Sequence, residues 1–218
     1  MTGARGGIGA AIVERLEGDD WTVYAVDVDD ADLTTREGNK FVVDAALATH
    51  GRLDAIVPNA GFQHVAPVRD FPEETWDRLL ALLLTSPFLL AKYAWEELAV
   101  SGEGRICVIA STHALTASPF KAGYVAAKHG VLGLVKTLAL EGAEVGIAAT
   151  AVCPAFVRTP LAERQVEERG LDAVIEPHAV KRMLEPSEVA DLVAFLLGPS
   201  GRGITGVALP IDLGWTAR

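Results

Sequence analysis

Short apolar runs of β type alternate along the chain with longer helical patterns. The runs are "WTVYAVD" from Trp21, "LDAIVPNAG" from Leu53, "GRICVIAS" from Gly104, "GIAATAVCP" from Gly146 and "GVALPID" from Gly206. Helices are expected between them over residues 7–18, 37–50, 72–100, 122–141 and 186–197. This order predicts an α/β fold, a parallel sheet with helices on both faces. Gly18, Gly51 and Gly198 stand where helices should stop, and Pro72 and Pro186 suit first helical turns. Pro210 would remove a ladder hydrogen bond from a central strand, so the last run is expected at a sheet edge.

With 218 residues, half of them hydrophobic, the chain suits one packed domain over residues 1–218. Its formal charge of -10 argues against a nucleic-acid partner. Cys107 and Cys153 lie inside apolar runs without a second ligand at metal spacing, so they read as core thiols of a reducing, cytoplasmic compartment, with no metal site. The most apolar stretch, residues 79–95, is interrupted by Thr85, Ser86, Pro87 and Lys92. It falls short of the roughly 18 uninterrupted apolar residues of a membrane span and reads as a buried or interface helix. No secretory leader is read ahead of the first motif.

Candidate chemistry starts with Tyr124 and Lys128, four residues apart and therefore on one helix face, with Ser111 upstream. A free phenol titrates near ~10, and a neighbouring ammonium would favour its ionised form. Such a tyrosine can act as a base, with the serine holding the substrate oxygen. Such pairs are also common as packing residues, so the rest of the chain must decide. Residues 2–9, "TGARGGIG", place Gly3, Gly7, Ile8 and Gly9 at the start of an apolar helix. That arrangement can bring backbone amides against a pyrophosphate, although a glycine cluster can also be an ordinary turn. Asp27 ends the next apolar run, where a carboxylate can accept from both ribose hydroxyls and favour NAD over NADP; Arg5 would pull mildly toward a phosphate.

Taken together, "TGARGGIG", "NAG" (Asn59, Ala60, Gly61), Ser111, Tyr124 and Lys128 resemble the short-chain dehydrogenase/reductase family in order and spacing. "NAGFQHVAPV", "STHALTASPFKAGYVAAKHG" and "DLGWTAR" are similar to bacterial D-3-hydroxybutyrate dehydrogenases. The resemblance implies a Rossmann-type doubly wound sheet, an NAD cofactor and a homotetramer. It implies catalytic Ser111, Tyr124 and Lys128, with Pro154, Asn59, Ala60 and Gly61 beside the cofactor and Asp32 and Leu33 on its adenine side. It assigns Gln63, His113, Lys121 and Gln165 to the carboxylate of a small hydroxy acid and Phe156 to its apolar part. A segment over residues 154–182 would close over that substrate. Amide, imidazole and ammonium groups can all donate to a carboxylate. Their plainer readings are solvated loops for His113 and Lys121, a backbone-satisfying turn for Gln63 and a solvated helix face for Gln165. His64, His129 and His178 read as structural or surface residues.

Three departures from the family are visible. A strand normally precedes the glycine motif, so the physiological chain is expected to be longer at its N-terminus. The stretch between Asp27 and Leu53 is short, which compresses a helix and a strand. Leu83 stands where the family has an asparagine on the long helix. Rival expectations are a dehydrogenase for acyl thioesters or polyols, or a cofactor-binding member without turnover.

Overall fold

Four of the five apolar runs pair side by side in the computed structural model, which describes residues 1–217; Arg218, the end of "DLGWTAR", lies outside the described residues. The strands are β1 Ala55–Ile56, β2 Arg105–Ile109, β3 Ala148–Pro154 and β4 Val207–Ile211, all parallel and adjacent in chain order. Every residue of β2 and β3 is buried, as a parallel sheet covered on both faces requires. Alternate residues serve opposite layers. Ile106 and Val108 pack with residues of α2 Arg36–His50, α4 Ser86–Val100 and α5 Ala122–Gly142, whereas Cys107 and Ile109 pack with α1 Gly7–Gly18 and α8 Pro186–Leu197. Pro210 pairs with Cys153 from the flanking strand β4, the edge position expected of it.

The helix ends follow local chemistry. The Thr35 hydroxyl accepts from the Gly38 amide at 3.0 Å to start α2, one residue before the expected start, and Gly51 closes it at φ 71°. Glu185 and Glu188 form a capping box ahead of α8.

Two expectations need correction. The helix expected over residues 72–100 is divided into α3 Glu73–Leu80, a π-helical stretch Ala81–Thr85 and α4. Pro87 has no N–H to offer the Leu83 carbonyl, and the helix loosens there. Its length and composition would suffice to cross a bilayer, but Leu79, Leu83, Leu89 and Leu98 are fully buried in this fold. The run from Trp21 to Asp27 is not a strand. It makes a single parallel bridge, Thr2 with Val26. A strand exists by pairing, and between Asp27 and Leu53 the chain supplies only α2, with no neighbouring strand. The segment after β3 folds as α6 Pro160–Arg169 and α7 Leu171–Ile175, where Ala162, Val174, Ile175 and Met183 form a small core against Phe156.

Candidate active site

The carboxyl ends of β2 and β3 place the chemistry. Ser111 follows β2 by two residues, and its Oγ accepts from the His113 amide at 3.1 Å, capping a short 3-10 turn, Thr112–Ala114. The chain then enters α5 at Ala122, setting Tyr124 in the first turn and Lys128 one turn on. Lys128 Nζ donates to the Ile109 carbonyl at 2.7 Å and lies 5.7 Å from the Tyr124 ring centre. The Tyr124 phenol is hydrogen-bonded to Ser111 and to Gln63.

Electrostatics at the phenol depart from the expectation that Lys128 lowers its pKa. Burial holds the Tyr124 phenol above its usual value, and the hydrogen bonds from Ser111 and Gln63 offset that only in part. The lysine itself is pushed down to about 8 by burial. Its ammonium is spent on a backbone carbonyl. His113 is held down to about 4, by burial first and by the Lys121 charge second, so its imidazole is neutral at ordinary pH. Its Nε2 lies 2.9 Å from Ser118 Oγ.

These groups face a cavity of about 160 Å³, lined by Ser111, His113, Tyr124, Lys128, Gln63, Phe156, Gln165, Ile8, Asn59, Gly61, Leu83 and Pro154, among others. Among the described residues no carboxylate lines it, on a chain of formal charge -10. Lys121 is buried but stands off the wall, its Nζ 5.8 Å from the Phe156 ring centre. Burial and then Arg169 lower its pKa, and no ion pair holds it among the described residues.

The glycine loop adjoins this cavity through Asn59. Asn59 Nδ2 donates to the carbonyls of Thr2 at 3.1 Å and Gly3 at 3.0 Å, and Thr2 Oγ1 accepts from the Asn59 and Ala60 amides. Gly3 has φ 62°, and a β-carbon there would meet Asn59 Nδ2 at 2.8 Å; one on Gly9 would strike the Gly3 carbonyl. Gly7 and the rest of the α1 start carry no side-chain cap.

Other expected residues lie apart from the cavity. Asp27 accepts from the Arg5 and Val28 amides, each at 2.8 Å, which anchors the glycine loop. The Arg5 guanidinium is held by Asp30 at 2.8 Å, with Asp29 3.7 Å away, so carboxylates already neutralise the charge expected to favour a phosphate. Asp32 caps a turn through Thr34, and the Leu33 side chain is in the core rather than on an adenine-facing surface. His178 is fully buried, which removes the surface reading.

Trp215 completes the wall and was not singled out by the sequence. It stacks on Phe156 at 5.6 Å between ring centres and presents an edge contact to His113 at 5.5 Å. A tryptophan after the last strand has no spacing that ties it to the site. Its only signal was its place in the closing motif.

A family model described as enoyl-(acyl carrier protein) reductase matches residues 30–216. The D-beta-hydroxybutyrate dehydrogenase of Rhizobium meliloti (strain 1021) is 42% identical over 179 residues, covering 77% of this chain and 69% of that protein. The enzyme of the same name from Cupriavidus necator is 40% identical, covering 79% and 71%. The crystal structure of 3-ketoacyl-(acyl-carrier-protein) reductase from Brucella melitensis complexed with NADH superposes with a TM-score of 0.91 at 28% identity, covering 99% of this chain and 96% of that one. The chain belongs to the short-chain dehydrogenase/reductase family. It is an oxidoreductase with the Rossmann-type fold of that family.

Proposed function

We propose that this protein interconverts (R)-3-hydroxybutyrate and acetoacetate with NAD as cofactor. The observation that carries the substrate class is the cavity at Tyr124: it lacks any carboxylate among its described walls, is entered by Gln63, Gln165 and His113, and has buried Lys121 behind Phe156. A small anion finds donors there on an otherwise acidic protein. Phe156 and Trp215 supply apolar surface for a short carbon chain.

The residues around the glycine loop fit a dinucleotide. The uncapped start of α1 leaves amides for a pyrophosphate, Gly3 and Gly9 keep the backbone open, and Asn59 braces the loop. Gly3, Gly7, Ile8, Gly9, Asn59, Ala60, Gly61 and Pro154 would hold the cofactor, with Asp27 toward its ribose. NAD, when bound, supplies the acceptor for the hydrogen and electron pair that leave the substrate carbon. In the oxidation Tyr124 Oη, once its own phenol proton has been released to solvent, takes the hydroxyl proton as the phenolate; in the reduction the phenol gives its proton to the reacting oxygen. Ser111 Oγ holds the reacting oxygen, and the Lys128 ammonium lies close enough to stabilise the phenolate once it forms.

A 3-oxoacyl thioester reductase is the rival reading, supported by the likeness to the Brucella melitensis enzyme. Initial rates of NADH formation from (R)- and (S)-3-hydroxybutyrate, beside NADH oxidation by an acetoacetyl thioester, separate the two. We expect turnover of the (R)-acid and a much lower kcat/KM for the thioester. Cofactor binding with no turnover of any of the three would favour a member without activity, consistent with Leu83 lining the cavity. Exposed Phe88 and Leu140 on α4 and α5 support self-association into a tetramer, and two buried free thiols support a reducing, cytoplasmic setting. Light scattering of the purified protein tests the former.

A further inference from the structure

A line of hydrogen-bonding groups runs back from Tyr124 and ends at Ser118, a half-buried serine on the loop between the 3-10 turn and α5. The Tyr124 phenol meets Ser111. Ser111 Oγ accepts from the His113 amide at 3.1 Å and lies 3.4 Å from His113 Nδ1, and His113 Nε2 lies 2.9 Å from Ser118 Oγ. His113 is 4% exposed, and its ring is clamped between Tyr124, at 6.0 Å between ring centres, and Trp215, at 5.5 Å. The ring cannot trade its two partners by turning, so the position of its one proton is what remains free. The loop that returns Ser118 to it is held as well. The Phe120 carbonyl accepts from the Ala66 amide at 2.9 Å, with Phe120 in the left-handed region at φ 67°, a conformation that costs a bulky residue energy.

This line can be polarised in two ways, with opposite consequences. Burial keeps the imidazole neutral, so one ring nitrogen donates and the other accepts. With the proton on Nε2, His113 donates to Ser118, Nδ1 takes the Ser111 hydroxyl proton, and Ser111 Oγ draws the Tyr124 O–H toward itself. Every donor then points away from the substrate. With the proton on Nδ1, Ser118 donates to Nε2, and Ser111 Oγ accepts twice from His113, from the amide and from the ring. A serine oxygen has two lone pairs and one proton. Its O–H is then left to the phenol oxygen or, with substrate bound, to the reacting oxygen, and the Tyr124 O–H is left to the cavity. The bond from Ser111 favours the ionised phenol, as a donated O–H does, which matches the second polarity.

We propose that Ser118 is a positioning residue that holds the proton of His113 on Nδ1 and thereby aims the Ser111 hydroxyl at the reacting oxygen. This rests on the roles proposed for Ser111 and Tyr124, because both directions of the reaction need a donor at that oxygen: the carbonyl in the reduction and the hydroxyl oxygen in the oxidation each accept from Ser111. No proton leaves the site along this line; its bonds only orient the hydroxyl. With Nε2 held by Ser118, His113 acts through Ser111 rather than on the carboxylate, which Gln63, Gln165 and Lys121 are left to meet.

Long-range proton–nitrogen correlation spectra of the full chain, labelled with nitrogen-15 at its histidines, read the tautomer without substrate; the His113 signals are those lost in His113→Gln. We expect a protonated Nδ1 in the unmodified chain, a shift toward protonated Nε2 in Ser118→Ala, and the original form in Ser118→Thr, which keeps the hydroxyl. Initial rates with (R)-3-hydroxybutyrate and NAD should show kcat about tenfold lower in Ser118→Ala, KM within about twofold, and recovery in Ser118→Thr. Adding Ser118→Ala to Ser111→Ala should cost nothing further, because the serine acts through that hydroxyl. A protonated Nε2 in the unmodified chain, a tautomer indifferent to Ser118→Ala, or a loss that adds fully to that of Ser111→Ala would overturn the assignment. If no form turns over the hydroxy acid, the substrate reading falls, while the response of the tautomer to Ser118→Ala still decides the role of Ser118.

Discussion

The two ends of the sheet differ in how they are held. At the carboxyl ends, β2 and β3 are flanked on both sides, and side-chain bonds tie Ser111, Tyr124, Lys128 and Gln63 into a cavity of about 160 Å³. At the amino ends, the backbone of residues 21–24 and that of residues 53–58 line a space of about 420 Å³, and Met1 and Thr2 hydrogen-bond to both sides. The Ser111, Tyr124 and Lys128 cluster rests on paired strands, whereas the glycine loop is held through the backbone bonds of Met1 and Thr2. Chemistry and cofactor support therefore have separate structural foundations in this molecule, and they can be perturbed separately.

The largest expected effect is at the braced end. Tyr124→Phe deletes the proton acceptor while keeping the ring, and turnover of (R)-3-hydroxybutyrate should fall by about 10²- to 10⁴-fold with Tm nearly unchanged. Steady-state rates beside a melting curve check this; a small loss would mean that another group moves the proton. At the weakly held end, Gly9→Ala drives a methyl group into the Gly3 carbonyl. We expect a stability loss of roughly 1–3 kcal/mol and weakened NAD binding, read by denaturant melts and calorimetry. Gly18→Ala, with open space around it, serves as the control and should show neither.

Lys121→Met separates binding from stability. It removes a buried ammonium that no carboxylate pairs with among the described residues, so KM for the hydroxy acid should rise by about tenfold with kcat largely kept. Tm should rise as the desolvation penalty disappears. A fall in both kcat and Tm would place Lys121 in packing alone.

The smallest effect is in pH. Both the Met1 amine and His113 have folded pKa values below their ordinary ones, about 6 against 8.0 and about 4 against 6.5. In each window the unfolded chain binds more protons, so stability rises with pH. The amine's contribution is complete above pH 8 and is lost as pH falls to 6; that of His113 is complete above 6.5 and lost toward 4. Melts across pH 4–9 should show both steps, and acetylation of the Met1 amine should erase only the upper one.

Much of this was legible along the chain. The four paired strands, the bounds of α1 and α8, the edge position of Pro210 and the convergence of Ser111, Tyr124, Lys128, Gln63, His113 and Gln165 all follow from local pattern or motif. Other features depended on who their neighbours are. Residues 21–27 have strand composition without a strand beside them. The π stretch at Leu83 arises where Pro87 withholds a donor. Arg5 meets Asp30 rather than a phosphate because the turn after Asp27 brings that carboxylate to it.

By itself, the sequence determined periodicity, helix ends and the residue types available for proton transfer, because these depend on near neighbours and on the intrinsic chemistry of each side chain. Tertiary structure alone decided which groups are desolvated and which edges are paired. Burial puts the phenol of Tyr124 above its usual pKa and the imidazole of His113 below its own, and among the described residues no strand pairs with residues 22–25. Both outcomes depend on solvent exclusion and hydrogen-bond partners that come from distant parts of the chain.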